Sequence, residues 1–271
     1  MSSRKSIDGG GTVIGVIANG THDPNYAYAR EVELWLEERG YITTCEEPEM
    51  YSSKYLIVLG GDGTMLRAAR ETAKYNTQIL GINLGTLGYL TDAERHDGLE
   101  AIEKMLTGDY KRERRIMLES RGNVALNEIM IHRVEPSKLM GFRICVNGDH
   151  MDTLRADGII VSTPTGSTAY NLSAGGPILR PDSEMIVITA VCPHTLYARP
   201  WVIPGDDEVS LTPVDASDCH ALISLDGDPK FTLEIGETIT IRRSEHMATI
   251  VKTSRVDFFE LLRKKMRRNE G

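Results

Sequence analysis

The alternation of apolar and polar positions changes character near residue 110. Before that point, short unbroken apolar runs alternate with stretches of helical period. Residues 12–18 read as a strand, and a helix over about residues 25–39 follows, with Ala29, Val32, Trp35 and Leu36 on one face and Gly40 as its stop. A short strand at residues 41–45 and an acidic loop at 46–50 lead to Tyr55-Leu56-Ile57-Val58-Leu59. That run is apolar without alternation, as in a strand buried on both faces of a parallel sheet. It stops at Gly60-Gly61, and a helix over residues 64–74 then puts Met65, Leu66, Ala69 and Ala73 on one side. Another strand at 78–82 and a helix at 98–106 complete the series, so this part is expected to be an α/β domain with a right-handed parallel sheet.

Beyond Gly108 the runs become short and β-rich: residues 115–120, 123–126, 128–134 and 141–146, with Asn147-Gly148 as a hairpin signal, and others near Thr189, Val209, Ala221, Phe231, Thr238 and Thr249. They predict a second, mostly β domain built like a sandwich. The expected division is residues 1–110 and 111–254, with a helix in residues 255–271 packing back on the first domain. Its basic end, residues 263–268, reads as a solvated terminus favoured by the helix dipole. Residues 1–11 read as a loose tail.

Composition narrows the class. With 271 residues, 41% hydrophobic and 26% charged, the chain has the make-up of a soluble globular protein. No apolar run approaches the ~20 residues needed to cross a bilayer. The longest, residues 185–192, reads as a buried strand, and the amino terminus carries no signal-peptide pattern. Cytoplasmic residence and no membrane partner are expected. The net charge of −8 argues against bulk nucleic-acid binding, whereas a small phosphorylated ligand needs only a few local cations. Cys45, Cys145, Cys192 and Cys219 form no Cys-x-x-Cys pair and the seven histidines have no ligand spacing, so neither a zinc site nor a disulfide framework is indicated.

The chemistry concentrates in three stretches. Strand, Gly60-Gly61-Asp62-Gly63-Thr64, helix is a phosphate-binding arrangement, because unpaired backbone N–H groups and the helix dipole favour an anion. Asp62 is out of place in a loop that only holds phosphate, since its charge repels phosphate oxygens. It either caps the helix, or accepts a hydroxyl proton or helps hold a metal. Residues 83–92, Asn-Leu-Gly-Thr-Leu-Gly-Tyr-Leu-Thr-Asp, leave the carboxyl end of the next strand, where such sheets place their ligands; the alternative is an ordinary turn. In residues 157–177 a buried strand runs into Pro164-Thr165-Gly166-Ser167-Thr168 and a short helix with Tyr170 and Ser173 on adjacent turns. Hydroxyls and free N–H groups there suit phosphate and ribose, and Tyr170 can stack on a base; the plainer reading is a polar turn with a core tyrosine.

The Gly-Gly-Asp-Gly-Thr loop resembles that of NAD kinases, of diacylglycerol and sphingosine kinases and, more loosely, of phosphofructokinases. Residues 157–177, with Asn127-Glu128, residues 83–92, Pro193-His194-Thr195-Leu196 and Ala198-Arg199-Pro200, are similar to NAD kinases of the prokaryotic type over most of the chain. That resemblance implies phosphoryl transfer from ATP, or from polyphosphate, to the 2′-hydroxyl of the adenosine ribose of NAD, with Mg²⁺ or Mn²⁺, giving NADP. It implies Asp62 as general base, with Gly61 and Gly63 allowing close approach of phosphate. Asn83, Tyr89 and Asn171 fall in the binding loops, Asn127 and Glu128 at the adenosine end, and Thr168, Ala169, Tyr170, Leu172 and Ser173 along the dinucleotide. Asp157 would face the nicotinamide side, with Arg67, Lys138 and Arg155 near phosphates and Asp228 at a variable contact. Subunits of the resembled family pair, so a dimer or tetramer is expected. The alternatives kept open are a lipid kinase on the same loop and a non-catalytic NAD or NADP sensor.

Overall fold

The apolar runs of the first third become neighbouring strands of one parallel sheet in the computed structural model, which describes residues 11–85, 88–135, 139–215 and 220–268. Strand β1 is Val13–Ala18, followed by helix α1, Ala27–Glu37, strand β2, Ile42–Thr44, helix α2, Glu49–Ser52, and strand β3, Tyr55–Gly60. Helix α3, Asp62–Thr72, strand β4, Gln78–Asn83, the short strand β5, Ala93–Glu94, and helix α4, Gly98–Thr107, come next. The strands lie in the order β2, β1, β3, β4, all parallel, with β5 beside the end of β4. Every residue of β3 is buried, as its unbroken apolar run requires. Val32 and Leu36 of α1 and Ile102 and Met105 of α4 pack into the same core as Ile57, Leu59 and Leu80.

Three local details differ from the sequence pattern. Helix α1 begins at Ala27 because Asn25 and Tyr26 both adopt positive φ, which interrupts the expected helix after one 3-10 turn. The acidic segment at 46–50 carries the start of α2, whose Met50 and Tyr51 are buried. Helix α3 opens at Asp62, with Gly61 as its N-cap and Gly63 in its first turn, and Ala68 rather than Leu66 joins Met65, Ala69 and Ala73 in the core.

The second part of the chain forms β6, Lys111–Ser120, β7, Asn123–Ala125, β8, Glu128–Arg133, β9, Met140–Val146, β10, Asp149–Ala156, and β11, Gly158–Ser162. Helix α5, Tyr170–Ser173, precedes β12, Met185–Val191, β13, Trp201–Pro204, β14, Val209–Val214, β15, Ala221–Leu225, β16, Asp228–Leu233, and β17, Ile239–Lys252. One antiparallel sheet runs β13-β12-β11-β8-β15-β16. A second runs β10-β9-β14 to the first part of β17, which β6 also joins. Ile129, Ile159, Ile186 and Ile223 of the first sheet meet Phe142, Ile144, Leu211 and Ile239 of the second in a single core. This is the sandwich arrangement expected of two half-apolar sheets.

The chain divides into one unit of Met1–Arg114 with Ala248–Gly271 and another of Arg115–Met247. These divisions fall inside β6 and β17, whereas 110/111 and 254/255 were expected. Long strands carry the chain across both divisions, so composition changes a few residues away from where packing changes. The carboxyl-terminal helix α6, Phe258–Arg268, belongs to the first unit, where the Lys265 ammonium lies 5.1 Å from the centre of the Tyr89 ring.

Candidate active site

In the first unit the chemistry gathers on the turn between β3 and α3. Met65 donates its backbone N–H to Gly61 C=O at 3.1 Å as the first α-helical bond, so Asp62 and Gly63 stand at the helix mouth. Asp62 does not cap its own helix. Its Oδ2 accepts the backbone N–H of Tyr89 at 2.8 Å and its Oδ1 that of Leu90 at 3.0 Å. The two loops identified in the sequence are thus tied together by this one carboxylate. Gly88 makes the approach possible, because a Cβ there would stand 2.0 Å from Asp62 Oδ1. Burial, and then the charge of Asp62, raise the Tyr89 phenol above the usual tyrosine range.

Gly61 and Gly63 differ from Gly88. Neither has positive φ, and a Cβ on either would meet nothing within 4 Å. The fold of this unit does not demand glycine at these two positions; the open space above them does if something outside the chain comes close. Gly63, Thr64 and Arg67 line a cleft of about 770 Å³ together with Asn19, Tyr26 and Arg30. Arg67 is paired there with Glu47 at 3.0 Å, and Glu47 also accepts the Tyr51 hydroxyl at 2.9 Å. Asn83, buried at the end of β4, spends its amide on Gly85, giving Nδ2–H to its C=O at 3.0 Å and accepting its N–H at 3.2 Å. Its part is to fold the loop. Thr86 and Leu87 of that loop lie outside the described residues, as does Lys138.

In the second unit Asp226, held in a turn at φ +50°, organises the Asn127-Glu128 stretch. Its Oδ2 accepts the N–H of Leu126 at 3.0 Å, and its Oδ1 those of Asn127 at 2.7 Å and Glu128 at 3.2 Å. The Pro164–Thr168 turn docks on the same backbone: Thr163 N–H reaches Asn127 C=O at 2.8 Å, and a Cβ on Gly166 would stand 2.1 Å from that oxygen. Asn127, Glu128 and the hydroxyl-rich turn are therefore brought together. Tyr170 projects from α5 with 43% exposure, which sets aside the core-tyrosine reading and leaves its ring open for stacking. Ser173 is exposed, Leu172, Ala169 and Thr168 are half-buried, and the Thr168 hydroxyl donates to Thr165 C=O at 3.3 Å. Asn171 is fully buried and structural: its Nδ2 donates to Ser167 C=O and Pro177 C=O, and its Oδ1 accepts the Thr189 hydroxyl at 2.7 Å.

The remaining predicted residues sit elsewhere in this unit. Asp157 Oδ1 accepts Nε–H and Nη2–H from Arg133 at 2.9 and 2.7 Å, a pairing with no signature in the order of residues. Arg155 on β10 lies 3.9 Å from Asp215, and Asp228 lies 3.4 Å from Lys230. Arg133 follows from no motif spacing, and although Asp226 opens an Asp-Gly-Asp motif, its hold on the Asn127 backbone does not, since their partners are distant in sequence.

Glu128 is the most perturbed acid. It is 7% exposed, its Oε2 is buried without a partner, and burial followed by the Asp226 charge pushes its pKa up to about 8. It is therefore largely a neutral acid at pH 7, able to donate one hydrogen bond as well as accept. A raised acid pKa means that the folded state holds the proton more tightly than the unfolded chain. Its contribution is intact below about 4.5 and is lost as pH rises to about 8. The loss is on the order of a few kcal/mol. Glu128→Gln should accordingly gain in melting temperature relative to the parent as pH rises from 5 to 8 and level off above. A melting difference independent of pH would contradict the buried neutral acid.

Comparison with known proteins identifies the family. Residues 52–110 match the model of the ATP-NAD kinase N-terminal domain and residues 126–253 that of the ATP-NAD kinase C-terminal domain. An NAD kinase of Lachnospira eligens is 36% identical over 93% of this chain and 98% of its own length. One of Moorella thermoacetica is 40% identical over 90% of this chain and 82% of its own. In fold, the chain is similar to a yeast NADH kinase complexed with NADH, with a TM-score of 0.84 at 21% identity over 97% of this chain and 89% of that one. It is also similar to an Archaeoglobus fulgidus NAD kinase in complex with ATP, with a TM-score of 0.78 at 24% identity over 93% of this chain and 98% of that one. With both halves matched by the family's models and full-length relatives above 30% identity, the chain belongs to the NAD kinase family.

Proposed function

We propose that the chain transfers the terminal phosphoryl group of ATP to the 2′-hydroxyl of the adenosine ribose of NAD, producing NADP and ADP. The observation that carries this is the Asp62 carboxylate, fixed at a helix mouth by two backbone N–H groups beside glycines whose Cβ positions are open. Family membership sets the lipid-kinase alternative aside, and an intact carboxylate in the phosphate loop argues against a sensor without chemistry.

A carboxylate is far too weak a base to make a free alkoxide from a secondary hydroxyl. Asp62 therefore takes the proton late, as the bond to phosphorus forms in a loose transition state, and most of the acceleration comes from positioning and charge neutralisation. Gly61, Gly63 and the open helix mouth receive phosphate, with Arg67 as a nearby cation in the adjoining cleft. Among the described residues no three His, Cys, Asp or Glu side chains gather as a metal cage. The Asp62 carboxylate at the helix mouth is a hard oxygen donor of the kind that suits Mg²⁺, and it would help hold such an ion, which would neutralise developing charge there. Asn127 and Glu128 are assigned to the adenosine end of NAD. Thr168, Ala169, Tyr170 and Ser173 are assigned to the face along which the dinucleotide lies, and Asp157, oriented by Arg133, to the nicotinamide side.

The test is to incubate the purified protein with NAD, ATP and Mg²⁺ and read NADP through an NADP-specific dehydrogenase. Product is expected with ATP; a blank with both ATP and polyphosphate while NAD still binds would return the sensor reading. Self-association is part of the proposal, and its support is the edge strand β13 with Trp201 and Val202 exposed, beside Leu196 and Tyr197 at 87% and 90% exposure. Sedimentation should give a dimer or tetramer, shifted toward monomer by Tyr197→Asp; a monomeric parent at micromolar concentration removes this element.

A further inference from the structure

Thr91 is 4% exposed, and its hydroxyl is buried without a hydrogen-bond partner. The backbone around it is firmly held: its C=O accepts Lys252 Nζ–H at 3.2 Å, and the next N–H, that of Asp92, reaches Gly81 C=O at 2.8 Å. A Cβ on Gly88 would stand 2.9 Å from Thr91 Oγ1 and 2.0 Å from Asp62 Oδ1. The hydroxyl and the carboxylate therefore border the same small space left by a glycine. Tyr89 and Leu90 each already give Asp62 a backbone N–H, and Thr91 is the next residue of this loop.

A buried hydroxyl left unpaired is disfavoured, and valine would fill the same volume without that penalty. A carboxylate offers about four lone-pair sites, and the two backbone donors occupy two of them. A backbone N–H can only donate, whereas a hydroxyl can donate to a carboxylate and accept from a carboxylic acid. Asp62 passes between those two forms if it takes the substrate's proton. We propose that Thr91 is a positioning residue for Asp62: its hydroxyl, unpaired in this structure, turns to donate to the carboxylate when substrate is bound and accepts from the carboxylic acid after transfer. In the balanced step the ribose O–H bond breaks, its oxygen bonds to phosphorus as the bond to the departing ADP breaks, and the proton rests on Asp62 until solvent removes it. The inference rests on the reading of Asp62 as base.

The experiment compares Thr91→Val, Thr91→Ser and Asp62→Asn with the parent in the NADP-forming assay, with thermal melting alongside. Thr91→Val is expected to lose about tenfold to a hundredfold in kcat, the range for one hydrogen bond to a charged group. Its KM for NAD and its melting temperature should stay at or above the parent's values, and Thr91→Ser should keep kcat within about threefold. A purely structural hydroxyl would move melting rather than kcat and would show no such split. Parental kcat in Thr91→Val, or equal losses in both Thr91 variants with lowered melting, overturns the proposal while Asp62→Asn remains inactive. Activity in Asp62→Asn removes the base reading and this one with it.

Discussion

Asp62→Asn is expected to lower NADP formation by about 10²–10⁴, the range associated with removing a general base. The KM for NAD should stay within a few-fold, because asparagine keeps the shape of the site. Two consequences of the substitution separate cleanly. The amide has no basic oxygen to receive the ribose proton, so kcat falls. Its NH₂ group must also face either Tyr89 N–H or Leu90 N–H, so one loop donor loses its acceptor, at about 1–3 kcal/mol. Calorimetric binding of NAD with coupled assay of turnover distinguishes them. Binding retained with turnover abolished supports the base role, whereas comparable turnover in the variant withdraws it.

The second large effect concerns Asp226. Its two oxygens accept three successive backbone N–H groups, from Leu126, Asn127 and Glu128. Asp226→Ala should destabilise the second unit by roughly 3 kcal/mol or more, since several partly buried donors lose their acceptor together. Asp226→Asn should cost less, because one oxygen remains and asparagine tolerates the positive φ of this turn. Both changes also remove a negative charge beside Glu128, so the Glu128 carboxyl should titrate lower than in the parent. Urea denaturation of the two variants checks the ranking. Equal stability of Asp226→Ala and the parent would mean that the three N–H groups find water instead.

Much of this was legible in the sequence, and the reasons are physical. The run at 55–59 is apolar at every position because β3 is covered on both faces, and the alternation of strands with helices requires parallel neighbours. The glycine loop announced a helix mouth, which α3 supplies at Asp62, the residue proposed above as base. Contacts between residues far apart in the chain were not legible. Asp226 reaches back about a hundred residues to the Asn127 backbone, and Arg133 and Asp157 meet only because adjacent strands bring them together. The sequence also could not tell a residue that shapes a loop from one that meets a ligand. Asn83 and Asn171 belong to ligand-like motifs, yet both spend their amides inside the protein. Glu128 carried no hint of its neutral form, which follows from burial that only the packed sandwich creates.

The course of β17 has a consequence for how the molecule is made. Its residues 239–241 pair antiparallel with β14, and its residues 249 and 250 pair parallel with β4, while Val251 enters the core of the first unit. The second unit is thus an insertion within the first. As the chain leaves the ribosome, the inserted sandwich has all of its strands before the first sheet receives its last one. A nascent chain stopped at residue 247 would expose the flank of β4 as an open strand edge, available to other unfinished chains. Completion of the sheet behind Asp62 therefore waits until the whole inserted sandwich has been synthesised.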